Sequence, residues 1–583
     1  MNTIGKLRQK FINHPIYILL AIIIIAGALL RFNNLNWDGK YFFHPDERNV
    51  VDAIQRLDYS GCIESIFHIQ TLRRCELNPD FFAYGTFPIY VTKFFSDQDY
   101  DRTYVVIRTE SAILSTLLIP LTFLITRQII NSPYKNKIAL IATFFVAFSP
   151  GMIQFAHFGT FETFLTFEYI LLAYALLKYL ETKWANWFYL AALVAGLSIS
   201  TKVVSLALLP VLLIARLIVF YYTNRKAVMP IWRRFYTLIT DVSLNAFLIV
   251  IVTVLITAPF MLLDFKAFKG SMDYEGPVAN GSLLVFYTQQ FIGTIPVLYQ
   301  FTKVFPYILS PLLTLAFIPA FFTAIIKQIM ITWKFKRKEA NYFSELIILV
   351  IILAYSIFHL SLYVKWTRYM IPLIPFMIIL ICSGLNSILI ATRNHKRIKS
   401  NLLVIIAIVL TMYLFASLDF SRRYFSVDTH ITASEWVKDN ISADKLILVE
   451  PMDVGAIPFN EAHSGRVKEL NVYDLDNNRQ NDVDDFYKRI DSADYIIILS
   501  NRVYPLRYRL SEKYPLGYKF FQALNDGTLG FRQIAAFDRV NGFIDAKIDL
   551  EMTSQEPQPD ETFNVFDNPQ IIIYQKNLNS GDQ

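Results

Sequence analysis

Trp187–Tyr222 reads WFYLAALVAGLSISTKVVSLALLPVLLIARLIVFYY. This stretch is too long for one bilayer crossing, because a hydrocarbon core of about 30 Å takes about 20 helical residues. Lys202 stands near its middle. A single continuous helix would bury that ammonium in the bilayer at a cost of several kcal/mol, roughly 3 on insertion scales. Two crossings, 187–201 and 203–222, joined by a tight turn at Thr201-Lys202, bring the charge to a membrane surface instead. The chain therefore reads as a polytopic α-helical membrane protein.

The composition agrees. The 583 residues are 54% hydrophobic and 18% charged, with a mean hydropathy of +0.37. Soluble chains average about 25% charged residues. A soluble enzyme, a fibrous protein and a disordered chain are excluded. Phe (49) and Tyr (33) are abundant, as expected for helices that pack in lipid and anchor at its interfaces. Residues 1–14 carry Lys6, Arg8 and Lys10 ahead of an apolar run to Leu30. The run is too long for a signal peptide and lacks a small-residue cleavage site, so it is an uncleaved first span. Further spans are expected at 103–129, 138–156, 161–179, 187–201, 203–222, 237–260, 306–327, 343–363, 369–391 and 401–418, about eleven in all.

Charge orients them. With the N-terminus inside, the short inner segments hold twenty Lys and Arg and the short outer ones six. Lys and Arg accumulate in cytoplasmic loops. The polar loop 33–102 and the tail 419–583 then lie outside. The tail holds 18 Lys and Arg against 27 Asp and Glu, whereas residues 1–418 hold 37 against 21. No soluble part is basic, so no nucleic-acid partner is expected. In the tail, Glu435–Asn440 reads as an amphipathic helix, and KLILVE (445–450), YIIILS (495–500) and IIIY (571–574) read as buried strands. That pattern indicates a small extracytoplasmic α/β domain. Two domains follow, 1–418 and 419–583. Of the three cysteines, Cys382 lies mid-span as a core residue, while Cys62 and Cys75 share one outer loop, either bridged or as thiols.

Polar motifs cluster at the outer ends of the spans. The first outer loop carries Tyr41-Phe42-Phe43-His44-Pro45-Asp46-Glu47-Arg48, then Tyr84-Gly85-Thr86-Phe87-Pro88-Ile89-Tyr90. Locally, Pro45-Asp46-Glu47 is a good helix start, with proline at N1 and acids facing the positive end of the dipole. Functionally, it is a carboxylate at the membrane surface, available as a general base. Span 2 opens on Arg108-Thr109-Glu110. The next outer turn runs Ser149-Pro150 through His157-Phe158 to Glu162-Thr163. Gly196-Leu197 leads to Thr201-Lys202, and Arg368-Tyr369 precedes Pro372-Leu373-Ile374-Pro375. For Lys202 and Arg368 the plain alternative is a snorkelling interface anchor. For His157 it is a wedge in a tight turn, and for Arg108 an ion pair with Glu110 or Asp101. The loop 261–305 clusters Gly, Pro and Asn around Met272–Ser282 and reads either as a mobile lid or as a plain connection.

This order of motifs over roughly residues 15–400 resembles the GT-C glycosyltransferases. It is similar to the bacterial relatives of protein O-mannosyltransferases and to the aminoarabinose transferase of lipid A. The resemblance implies a GT-C fold, a polyprenyl-phosphate-sugar donor and a protein, lipid or glycan acceptor. It implies Asp46 as catalytic base with Glu47 beside it, and Glu162 as a second acid where many relatives carry Asp. Lys202, Arg368 and Arg108 would meet the donor phosphate. His44, His157, Tyr84 and Tyr369 lie in the same motifs as support. The resemblance settles no cofactor: a divalent metal on Asp46, Glu162 and His157 is chemically feasible, and many monophosphate users need none. The rival class is a transporter or lipid flippase, which should carry charges near mid-bilayer and paired broken helices. The motif charges here gather on one face.

Overall fold

The computed structural model describes residues 15–39, 41–58, 76–96, 99–225, 229–240, 242–333, 340–450, 466–477, 479–538, 542–545 and 559–577. Cys62 and Cys75 lie outside them. Among the described residues, eight helices are long and apolar enough to cross a membrane, and two more of 17 residues are apolar. In chain order the membrane helices are α1 (Pro15–Phe32), α2 (Tyr100–Ile129), α3 (Lys135–Ala147), α4 (Glu162–Thr182), α5 (Ala185–Thr201), α6 (Leu209–Asn224, led in by a 3₁₀ turn Val203–Leu208), α7 (Val242–Thr257), α8 (Pro311–Trp333), α9 (Ser344–Leu360), α10 (Ile374–Ala391, led in by a 3₁₀ turn Thr367–Leu373) and α11 (Lys396–Ser421). Ten of them are the apolar helices just counted and fall on expected spans; α3, of 13 residues, is not among those ten.

Two expectations change. The span expected at 138–156 ends at Ala147, and a short separate helix, Pro150–Gln154, follows. Ser149-Pro150 is the cause, since the residue before a proline disfavours helix. The stretch read as a lid or plain loop contains a regular helix, Phe265–Asn280. Asp264 caps its start by accepting from the Ala267 amide, and Gly281 ends it at φ +84°. Gly281 must be glycine twice over, because a Cβ there would also lie 2.5 Å from the Tyr363 ring.

A buried arginine braces one end of the bundle. Arg31, at the end of α1, donates to Ser115 Oγ in α2 and to the Val146 and Ala147 carbonyls that close α3. A cation at a helix C-terminus satisfies orphan carbonyls and opposes the negative dipole end. This joins three helices at the point where the turn toward Glu162 begins.

Contacts divide the chain into two units. One holds residues 1–35, 50–282 and 295–420; the other holds 36–49, 283–294 and 421–583. The second unit is built on a six-stranded mixed sheet, in the order β2-β1-β3-β6-β4-β5. Its strands are β1 (Ile447–Val449), β2 (Val467–Glu469), β3 (Tyr495–Ile498), β4 (Phe531–Asp538), β5 (Gly542–Asp545) and β6 (Ile571–Lys576). β1 runs parallel to β2 and β3, and β6 is antiparallel to β3 and β4. Apolar residues fill both faces: Leu448, Ile496 and Phe521 on one, Val437, Ile497 and Phe537 on the other. The segment 283–294 is held within this unit. Arg509 donates to the Gln290 and Ile292 carbonyls, Arg507 donates to Gln289, and Phe286 packs on Tyr473.

Candidate functional site

The break at Lys202 builds the site in the membrane unit. α5 stops at Thr201, Lys202 is extended (φ −159°, ψ 122°), and the chain re-enters as a 3₁₀ turn. The Lys202 ammonium lies 3.4 Å from Glu162 Oε1, at the start of α4. It also stands over two aromatic faces, 4.9 Å from the centre of Tyr369 and 5.5 Å from that of Tyr84. An ammonium over a ring face is held by the ring quadrupole. Arg368 completes the group. It donates to the Tyr84 hydroxyl at 2.9 Å and stacks 4.6 Å over Trp366. Glu162 is buried, and its second oxygen has no hydrogen-bond partner among the described residues. Glu162, Lys202, Arg368, Tyr84 and Tyr369, read from separate motifs, thus share one cluster.

Gly85 explains how Tyr84 reaches it. The Gly85 amide donates to the Thr201 carbonyl at 3.0 Å, and a Cβ at Gly85 would sit 1.9 Å from the Ser200 carbonyl oxygen. Only glycine lets the two backbones touch. Thr86 donates to the Thr257 carbonyl, and Thr257 donates to Ser200 Oγ. The Tyr-Gly-Thr motif is thereby bound to the end of α5 beside Lys202.

Sequence reasoning missed the inner wall. His359 stacks on Tyr355 at 3.9 Å and meets Tyr369 edge-on at 5.2 Å, and Tyr355 packs against Tyr169. Glu168 accepts from Thr201 Oγ1 at 2.7 Å. Their signal was weak because each is a lone polar group inside an apolar span.

Two other expected residues, Arg108 and His157, sit elsewhere in the same unit. Arg108 donates to the Leu35 carbonyl and lies over Tyr104. His157 places Nδ1 2.8 Å from the Ile153 carbonyl and Nε2 2.8 Å from that of Asn33. Both residues tie the segment just after α1 to its neighbours. Asp46, Glu47 and His44 belong to the unit containing the sheet. Asp46 and Glu47 occupy the first turn of a helix, Pro45–Gln55; Asp46 is half-buried and Glu47 fully buried. His44 packs on Phe566. Among the described residues no three His, Cys, Asp or Glu side chains form a metal-ligand group. With both ring nitrogens on carbonyls, His157 is a poor metal ligand.

His157 carries a pH signature. Burial pushes its pKa down from 6.5 to about 4, against the Ile153 and Asn33 carbonyls, which favour the charged ring, and with help from the cations of Arg108 and Arg31. The unfolded chain then binds this proton first as pH falls. Stability is lost between pH 6.5 and about 4, by up to about 3 kcal/mol. Thermal unfolding across this range should show a steeper acid loss for wild type than for His157→Asn. Equal slopes would show that the imidazole is not held neutral.

The family model of dolichyl-phosphate-mannose-protein mannosyltransferases matches residues 85–268, which include Gly85, Glu162 and Lys202. The archaeal oligosaccharyltransferase AglB of Archaeoglobus fulgidus, solved with an inhibitory peptide and a dolichol-phosphate, superposes with a TM-score of 0.50. It covers 92% of this chain and 75% of its own, at 10% identity. The chain has the fold of this oligosaccharyltransferase. ArnT of Cupriavidus metallidurans, bound to undecaprenyl phosphate, aligns over 97% of this chain and 99% of its own, at 14% identity and a TM-score of 0.44. No curated protein matches the sequence. The segment that matches the family model supplies the acid and the lysine of the cluster, and the later Arg368 supplies the guanidinium.

Proposed function

We propose that the protein moves a sugar from a polyprenyl-phosphate donor to an acceptor hydroxyl on the outer face of the membrane, with inversion. The observation that carries this reading is the joining of Lys202 and Arg368 in one aromatic-lined cluster at the ends of α5 and α10. Two cations in one cluster suit the phosphate of a lipid donor. The family match and the dolichol-phosphate bound to the archaeal oligosaccharyltransferase support the same donor class. A protein acceptor is favoured by that family name; lipid and glycan hydroxyls share its chemistry.

In the reaction, Asp46 takes the proton of the acceptor hydroxyl as its oxygen attacks the anomeric carbon. The bond from that carbon to the phosphate oxygen breaks, and polyprenyl phosphate leaves with the electron pair. A single displacement inverts the anomeric centre. Lys202 and Arg368 stabilise the charge that grows on the leaving phosphate, usually a large term in such steps. The outer-face placement rests on the Lys and Arg bias of the loops.

Arg368 tests the donor assignment. A guanidinium can hold a phosphate by two parallel hydrogen bonds, whereas an ammonium acts as a point charge. Arg368→Ala should cut kcat/KM for the lipid donor by about 10- to 100-fold, and Arg368→Lys by less, given about 1.5–3 kcal/mol for a charged hydrogen bond. Wild-type rates in both variants would make Arg368 an interface anchor.

A further inference from the structure

The unit that contains the sheet encloses the segment leading into the acidic motif. Phe43 is buried and stacks on His430 with ring centres 4.2 Å apart. The next residue, His44, packs on Phe566 at the same distance. Two consecutive rings, immediately before Pro45-Asp46, are thus each gripped by a ring of the tail.

Buried polar contacts hold the gripping rings in turn. Asp428 accepts from the His430 amide, stands 2.7 Å from His430 Nδ1, and accepts from the Asn568 amide. Asp567, beside Phe566, pairs with Arg423 at 3.0 Å and accepts from the Tyr424 hydroxyl at 2.6 Å. Thr429 donates to the Pro569 carbonyl. All of these groups are buried, where charged hydrogen bonds fix geometry strongly. Residues 423–430 and 566–569 therefore form one braced frame around Phe43 and His44.

The gripped backbone is also strained. Phe42 has φ +51°, a left-handed conformation that bulky side chains rarely adopt. Such a residue costs of order 1–3 kcal/mol and persists only where its surroundings impose it. Arg48 donates to the Phe42 carbonyl at 3.0 Å, and the Phe43 amide donates to Asp38. The strain lies four residues before Asp46.

From these contacts we infer that the C-terminal α/β domain is a positioning element for the catalytic carboxylate, acting through the His430–Phe43 and Phe566–His44 ring contacts. His430 and Phe566 are positioning residues: they fix the residues that fix Asp46. The inference rests on the reading of Asp46 as base. It gives residues 421–583 a part in the turnover step rather than in capture of the donor.

The test uses the full-length protein in liposomes, with His430→Ala, Phe566→Ala, His430→Phe and Asp46→Asn. A displacement near 1 Å can cost about 100-fold. Each alanine variant should therefore lower kcat by about 10- to 100-fold while the KM for the lipid donor stays within about twofold. His430→Phe, which restores a ring against Phe43, should recover most of the lost kcat. Amide exchange over residues 41–48 should quicken in the alanine variants and return toward wild type in His430→Phe. If an alanine variant does not fold, Phe566→Leu keeps apolar volume without the ring and is read the same way. Unchanged kcat in the ring variants beside an inactive Asp46→Asn overturns the inference and leaves the proposed function standing. Equal loss in His430→Phe and His430→Ala also overturns it. An active Asp46→Asn overturns the reading of the base itself.

Discussion

Asp46→Asn is expected to lower turnover by at least about 100-fold while donor binding survives. General-base catalysis contributes about 10²–10⁴-fold, and asparagine keeps the volume and hydrogen bonding of the side chain but accepts no proton. Asp46 is half-buried in the first turn of its helix, whereas its neighbour Glu47 is fully buried. A base must reach the acceptor oxygen, and the less buried member of the pair is the better candidate. Glu47→Gln should therefore cost less turnover than Asp46→Asn. Transfer of a labelled sugar, measured beside donor binding, decides between them. Near-full turnover in Asp46→Asn with none in Glu47→Gln would exchange the two roles.

Gly85→Ala should be the most damaging single methyl in the membrane unit. The added carbon would lie 1.9 Å from the Ser200 oxygen, 2.6 Å from the Ser200 carbonyl carbon and 2.7 Å from that of Thr201. All three are backbone atoms, so no rotamer change relieves the overlap. Either residues 84–86 leave the end of α5, or that end shifts. The first breaks the Gly85–Thr201 hydrogen bond and the Thr86–Thr257 bond, and moves Tyr84 away from Lys202 and Arg368. Overpacking alone costs about 1–3 kcal/mol, and the lost hydrogen bonds add about 1 kcal/mol each. We expect a loss of at least about 3 kcal/mol and a fall in turnover of about 100-fold. Gly270→Ala is the control. A Cβ there meets nothing within 4 Å inside the helix Phe265–Asn280, so it should be neutral or stabilise by up to about 1 kcal/mol. Thermal unfolding and turnover of the two variants give the comparison. Equal behaviour would mean that the Gly85 contact does not hold the site together.

Much of the membrane part is legible in the sequence because lipid imposes simple rules. Apolar length sets a span, and a charge such as Lys202 marks where a span must end. The motif residues Glu162, Lys202, Arg368, Tyr84 and Tyr369 could be found because polar groups at span ends stand out against apolar surroundings. Tyr355, His359 and Glu168 could not, since a single polar residue inside a span looks the same whether it lines a site or packs in the core. The helix Phe265–Asn280 was hidden by Gly276-Pro277 near its end, which reads as a turn. In the tail, the uniformly apolar β3 and β6 were visible. FRQIAAFD in β4 mixes charged, polar and apolar residues without alternation, although it pairs on both sides, with β5 and β6. That residues 36–49 and 283–294 join the sheet-containing unit was invisible, because long-range ring contacts such as Phe43–His430 leave no local pattern.

The central claim is glycosyl transfer from a lipid phosphate, and one assay tests it most directly. The purified protein in liposomes is given a polyprenyl-phosphate donor carrying a labelled sugar, together with an acceptor peptide bearing Ser and Thr hydroxyls and a crude envelope extract as a source of other hydroxyls. The account predicts that label leaves the lipid and appears covalently on an acceptor with inverted anomeric configuration, and that Arg368→Ala slows this. Label that stays on intact lipid while the lipid changes leaflet would contradict it and mark the protein as a flippase.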